Sequence, residues 1–223
     1  MLLNKETGNN HILYSFRRCP FAIRARLSIY FSNNKCQIRE ITLKNKPEEF
    51  LKISSKATVP VLLTEDGAII EESLDIMKWF LLKNDPLDIM RPYDYESPDE
   101  LIGFFDRDFK FHLDRYKYST RFDPQKKDEH RNAAVKILSK LENKMDDSAY
   151  IYGDKISIYE LSILPFIRQF MLADINWYES EFDCKKIKLS LSRFIESNAF
   201  IVTMKKYNEW VLLREEAQYF PSY

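Results

Sequence analysis

The sequence predicts two domains: an α/β domain over residues 11–84 and an all-helical one over residues 98–223. Three observations carry this. Short apolar runs alternate with helical patterns across the first 84 residues. Residues 85–97, DPLDIMRPYDYES, hold two prolines and several acids without periodicity and read as a linker. Every apolar pattern beyond them has helical spacing. Residues 1–10 read as a polar tail.

Taken in order, HILYSF at 11–16 is a short buried strand, and Arg17-Arg18-Cys19-Pro20 leads into a helix. Pro20 suits the first helical position, and Ile23, Leu27, Tyr30 and Phe31 follow at helical spacing with Arg24 and Arg26 between them. Cys19 therefore sits at a helix N-terminus. The helix dipole and two neighbouring arginines favour its thiolate, so its pKa is expected below the free value of about 8.5, by roughly one unit or more. Residues 36–43 form a second strand, parallel to the first by the βαβ rule, with Cys36 as packing. In KNKPEEFLKIS, Pro47 begins a helix with Glu48 and Glu49 in its first turn.

The stretch 54–80, SSKATVPVLLTEDGAIIEESLDIMKWF, looks like half of a ligand site. Val61 to Leu63 turns at Glu65-Asp66-Gly67 and returns through Ala68-Ile69-Ile70, a hairpin by its turn chemistry. Pro60 cannot donate to a central ladder, so it belongs at the strand's first position, where a cis bond would leave the Val59 backbone open to a peptide. Glu72-Ser73 precedes the helical face Leu74, Ile76, Met77, Phe80 and Leu81, with Ser73 expected to cap the first turn. That helix end attracts carboxylates.

Beyond the linker, Ser97-Pro98-Asp99-Glu100 is a capping-box pattern opening a long helix with Leu101, Phe104, Phe105, Phe109 and Leu113. Asp123-Pro124 opens its antiparallel partner, running to about Met145. Ser157 with Glu160, and Ile156 with Leu161, form a capping box and a hydrophobic staple ahead of ELSILPFIRQFML. That helix is apolar nearly all round and so central, and it contains Pro165. Arg168 within it needs an acid, with Asp106, Asp108 and Asp114 as candidates. Helices around 187–195 and 199–210 close the bundle, and the tail LREEAQYFPSY folds back or stays loose.

Composition narrows the chemistry. Lysine plus arginine equals aspartate plus glutamate, 34 each, so no net field favours nucleic acid or an anionic membrane. Four glycines leave no phosphate-cradling loop. His11, His112 and His130 are scattered, and no metal-ligand spacing occurs, so no structural metal is expected. Three widely spaced cysteines fit a reducing compartment, the cytoplasm by default. No leader or membrane-length apolar run is seen.

V-P-V, a two-strand hairpin and E-S opening a helix resemble the thioredoxin-like N-terminal domain of glutathione transferases. Cysteine-proline at a helix start and N-K-P resemble the cysteine-type, omega-like members, and the late capping box and staple resemble the family's helical C-terminal domain. The resemblance implies a thioredoxin-like domain followed by a helical bundle, and glutathione as co-substrate. It implies Cys19 as the reacting thiol and Val59, beside Pro60, pairing with glutathione's cysteine backbone. Glu72 and Ser73 would hold the γ-glutamyl group, and Lys46 the glycine carboxylate. It also implies a second-substrate pocket on the first long helix, for which Phe105, Asp108, His112 and Tyr116 are candidates, and a homodimer.

Ala22 stands where a dithiol glutaredoxin has its second cysteine, so glutathione itself would resolve a mixed disulfide. Tyr14 and Ser15 are rival activating hydroxyls. Thiol transfer or reduction through Cys19 is the first functional expectation. Conjugation of glutathione to a small electrophile is the second, and a non-catalytic binding or regulatory module the third. The electrophile or disulfide is not specified by the sequence.

Overall fold

The computed structural model describes residues 10–91, 97–148, 150–211 and 216–222. The tail at 1–9 and the middle of the expected linker, 92–96, lie outside the described residues. The chain divides into two compact units, residues 1–87 with 198–223, and residues 88–197.

The first unit is a mixed sheet with helices on both faces. β1 (Ile12–Ser15) leads through α1 (Pro20–Phe31) to β2 (Cys36–Glu40), which pairs parallel with β1, the expected βαβ unit. After α2 (Glu48–Ile53), β3 (Val61–Leu63) and β4 (Ile69–Ile70) form the predicted hairpin, and α3 (Ser73–Leu81) follows. Gly67, at φ 86°, supplies the left-handed conformation the hairpin turn needs. Successive β1 residues point to opposite faces. Leu13 packs with Ala25, Ile29, Ile76 and Phe80 on the α1/α3 face, while Tyr14 packs with Phe50, Val59 and Val61 on the α2 face.

Residues 198–223 do not join the helical domain to which the sequence reading assigned them. After the helices of the second unit, the last helix, α10 (Asn198–Thr203), packs on α1, and β5 (Tyr219–Phe220) pairs antiparallel with β2. The five-stranded order is β4-β3-β1-β2-β5. The cause is burial and pairing: Phe220 is fully buried beside Cys36 and Tyr207, and the open edge of β2 gains ladder partners. The expected helix over 199–210 ends at Thr203, and Trp210 N–H then donates to the Glu40 carbonyl at 2.6 Å.

The second unit is helical: α4 (Pro98–Phe104), α5 (Lys110–Lys117), α6 (Lys127–Glu142), α7 (Ile158–Met171), α8 (Ile175–Ser180) and α9 (Lys185–Glu196). α7 touches α4, α5 and α9 and is buried almost all round, as its composition predicts. Its capping box forms as read: Ser157 Oγ accepts from Tyr159 N–H at 3.3 Å, and Glu160 accepts from Ser157 N–H at 2.8 Å. Ser97 makes no side-chain cap, and the long helix it opens is α4 and α5 joined by a π-helical turn, Phe105–Phe109. Asp123 caps a 3-10 turn, Pro124–Lys126, ahead of α6. Among the described residues no helix is long and apolar enough to cross a membrane.

Candidate active site

Cys19 occupies the position just before α1, in extended conformation, with Pro20 as the first helical residue. Its N–H donates to the Phe16 carbonyl at 2.9 Å, which closes the turn out of β1, and its half-buried thiol donates to the Val59 carbonyl at 3.6 Å. The Val59–Pro60 bond is cis and immediately precedes β3. The loop after α2 and the start of α1 thus bring Cys19, Val59 and Pro60 together.

Glu72, not Ser73, holds the capping position of α3, and it makes no side-chain cap. Ser73 is the first helical residue, and its buried Oγ accepts from Arg24 Nη1 at 3.3 Å, so α1 is hooked to the start of α3. The Glu72 carboxylate is exposed and ion-paired with Lys56 on the loop before the cis bond. That contact holds the Lys56 ammonium above its ordinary pKa, by the hydrogen bond first and the opposite charge second. One residue earlier, Glu71 accepts from Ser54 Oγ at 2.7 Å. Lys46 is half-buried on the loop entering α2; among the described residues no hydrogen bond or ion pair joins it to Cys19, Val59, Glu72 or Ser73.

The rival hydroxyls have other partners. Tyr14 is buried between Phe50 and Trp210, with its hydroxyl accepting from Arg39, and burial pushes its pKa up. Ser15 is fully buried and accepts from Arg26 Nε at 3.0 Å. Both belong to the core. Arg26, expected between apolar positions, is also fully buried: it pairs with Glu40 and donates to the Thr203 carbonyl at 3.1 Å. Glu40 in turn accepts from the Arg17 N–H in the turn before Cys19.

The four second-pocket candidates separate. Phe105 and Tyr116 are interior residues of the helical unit, Phe105 against Phe109 at 5.0 Å and Tyr116 against Phe170 at 5.4 Å between ring centroids. Burial pushes the Tyr116 hydroxyl up to about 12. Asp108 is exposed, and half-buried His112 meets His130 at 2.9 Å between Nδ1 atoms. Of the acids offered to Arg168, Asp114 is paired with Lys110. Among the described residues no group of three or more His, Cys, Asp or Glu could hold a metal ion.

Sequence reading missed Arg24 and Lys56 as neighbours of the site. The signal for Arg24 was a basic residue among the apolar positions of α1, five residues after Cys19. Lys56, on a polar surface loop, carried none.

Residues 13–87 match the family model described as glutathione S-transferase, N-terminal domain. The chain is 27% identical over 212 residues to glutathione S-transferase omega-1 of Rattus norvegicus, spanning 90% of this chain and 84% of that relative. Its fold matches glutathione transferase Omega 3C from Trametes versicolor with a TM-score of 0.76 at 19% identity, over 91% of this chain and 92% of that one. A glutathione transferase from Pseudomonas putida, solved with one glutathione disulfide bound per subunit, matches with a TM-score of 0.72 at 16% identity, over 91% and 94%. The sheet with its cis turn, the cysteine at the start of α1 and these likenesses agree: residues 13–87 match a glutathione S-transferase N-terminal domain, and the chain is similar to omega-class glutathione S-transferases.

Proposed function

We propose that this protein is a glutathione-dependent thiol transferase in which Cys19 forms and releases a mixed disulfide with glutathione. The supporting observation is the approach of Cys19 Sγ to the Val59 carbonyl, 3.6 Å, at the cis Val59–Pro60 turn. A peptide thiol pairing with that turn would lie against the sulfur. Glu72 and Ser73 would receive the γ-glutamyl end, and Lys46 the glycine carboxylate. Asp108 and His112 are the second-substrate candidates that keep exposed surface.

In the first step the Cys19 thiolate attacks the glutathione sulfur of a mixed disulfide; a new S–S bond forms and the partner leaves as its thiolate. In the second, a glutathione thiolate attacks the glutathione sulfur held on Cys19, forming oxidised glutathione and restoring the Cys19 thiolate. Ala22 offers no second thiol, so the second glutathione does the resolving. Cys36 and Cys184 are buried and free, and burial pushes the Cys36 thiol up to about 12, which suits a chain working in the reducing cytoplasm.

Intact mass after incubation with oxidised glutathione, comparing native protein with Cys19→Ser, tests the reading. One glutathionyl adduct that requires Cys19 and is removed by reduced glutathione is expected. No adduct, or one that survives the substitution, overturns it. Glutathione binding without an adduct would then favour conjugation, and no binding a non-catalytic module. The resemblance also carries a homodimer to this chain; sedimentation equilibrium checks it, and a monomer mass removes it.

A further inference from the structure

Glu72 presents a carboxylate beside the start of α3, and the Lys56 ammonium sits directly on it, both on the surface. The loop bearing Lys56 is fastened there. Ser54 donates to Glu71, Ala57 N–H closes a turn on the Ser54 carbonyl at 3.1 Å, and Ala57 holds a positive φ of 50°, uncommon for a residue with a side chain. The result is an anion and a cation side by side, a few residues from the cis turn and next to Ser73.

We propose that Lys56 and Glu72 together recognise the zwitterionic amino-acid end of glutathione, with Lys56 binding the α-carboxylate of the γ-glutamyl residue. The inference rests on the glutathione reading above and adds to it a residue and a charge rule. The γ-glutamyl α-carbon carries an ammonium and a carboxylate, the reciprocal of this pair. Glu72 answers the ammonium. Ser73 gives the carboxylate one neutral hydrogen bond, since its oxygen already accepts from Arg24. A lysine ammonium has three donors, so Lys56 can keep Glu72 and still donate to the ligand.

The test is titration calorimetry with S-methylglutathione, which cannot form disulfides, and with its analogue bearing a carboxamide in place of the γ-glutamyl α-carboxylate. Native protein and Lys56→Met are compared. Exposed ion pairs contribute modestly, so Lys56→Met is expected to weaken the carboxylate ligand by about two- to fivefold and leave the carboxamide unchanged. The native preference should shrink as salt rises. Equal losses for both ligands, no loss, or tighter binding by Lys56→Met overturns the proposal. If native protein binds neither ligand, the glutathione reading falls and this inference with it. If native protein binds and Lys56→Met matches it, only the inference falls.

Discussion

Replacing Arg26 with Met should unfold the first unit more readily than any other single side-chain truncation discussed here. Arg26 is fully buried on α1 and satisfies three acceptors: the Glu40 carboxylate, Ser15 Oγ at 3.0 Å and the Thr203 carbonyl at 3.1 Å. Burial pulls its guanidinium pKa down and pushes the Glu40 carboxyl up, each opposed by the other's charge. Methionine fills much of the volume but leaves a mostly buried carboxylate without its counter-charge. Breaking such a pair from one side costs about 3–5 kcal/mol. At this chain length that is a fall in Tm of roughly 6–20 °C.

Urea unfolding followed by fluorescence measures the loss, and hydrogen exchange localises it. The Ile38 N–H, bonded to the Gln218 carbonyl at 2.8 Å, should exchange faster as β5 loosens from β2. The double variant Arg26→Met/Glu40→Met leaves no orphaned charge and should be more stable than Arg26→Met alone. A single variant within 1 kcal/mol of native, or a double variant that loses the sum of both singles, would refute the reasoning.

Three further expectations are separable from it. Tyr14→Phe removes a hydroxyl held by Arg39; it should cost about 0.5–1.5 kcal/mol of stability and leave thiol-transfer kcat unchanged, whereas a tenfold fall in kcat would make Tyr14 an activating group. His11 is buried, its Nδ1 accepts from Glu65 N–H at 2.9 Å, and burial followed by the Lys83 charge lowers its pKa from 6.5. The unfolded chain therefore binds the proton more readily, so the contribution of His11 is full above pH 6.5 and is lost as pH falls below it. NMR titration should give a midpoint under 6.5, and one above 6.5 rejects this. Ser157→Ala deletes the cap on Tyr159 N–H and the 2.6 Å hydrogen bond to buried Glu160; a loss of about 1–3 kcal/mol is expected in urea, and an unchanged midpoint would show the box to be ornamental.

The features legible in the sequence are those whose cause is local. Pro20 after Cys19 starts α1, Asp66-Gly67 turns the β3–β4 hairpin, and Ser157 with Glu160 starts α7, because each pattern acts within four residues. The same logic failed at Ser97 and Ser73: a residue suited to capping is not obliged to cap, and Ser73 meets a guanidinium from another helix. β5 is two residues long, carries no periodicity, and exists because the β2 edge is open to it. The π-helical turn at Phe105–Phe109 shifts the faces of the helix by about one residue, which is why spacing did not sort Phe105 and Tyr116, now interior, from Asp108 and His112. His112 and His130 are eighteen positions apart, and only the pairing of α5 with α6 brings them together.

Arg24 and Arg26 explain how the candidate site keeps its shape. Two residues apart on a helix means about 200° apart around it, so the two guanidinium groups leave α1 on opposite sides. Arg24 reaches Ser73 at the start of α3, while Arg26 reaches β2, through Glu40, and the end of α10. Neither is cheap, since a buried guanidinium must have its donors met. Between them lies Ala25, whose side chain packs with Ile29, Ile76 and Phe80 and brings α1 close to α3. The helix that follows Cys19 is therefore located from both sides within two turns of the thiol. Two residues proposed to hold glutathione are attached to the same frame, Ser73 at its γ-glutamyl end through Arg24 and Val59 at its cysteine backbone through the thiol itself. The spacing between the sulfur and the γ-glutamyl end is thus set by core packing and two buried cations, none of which need touch the ligand.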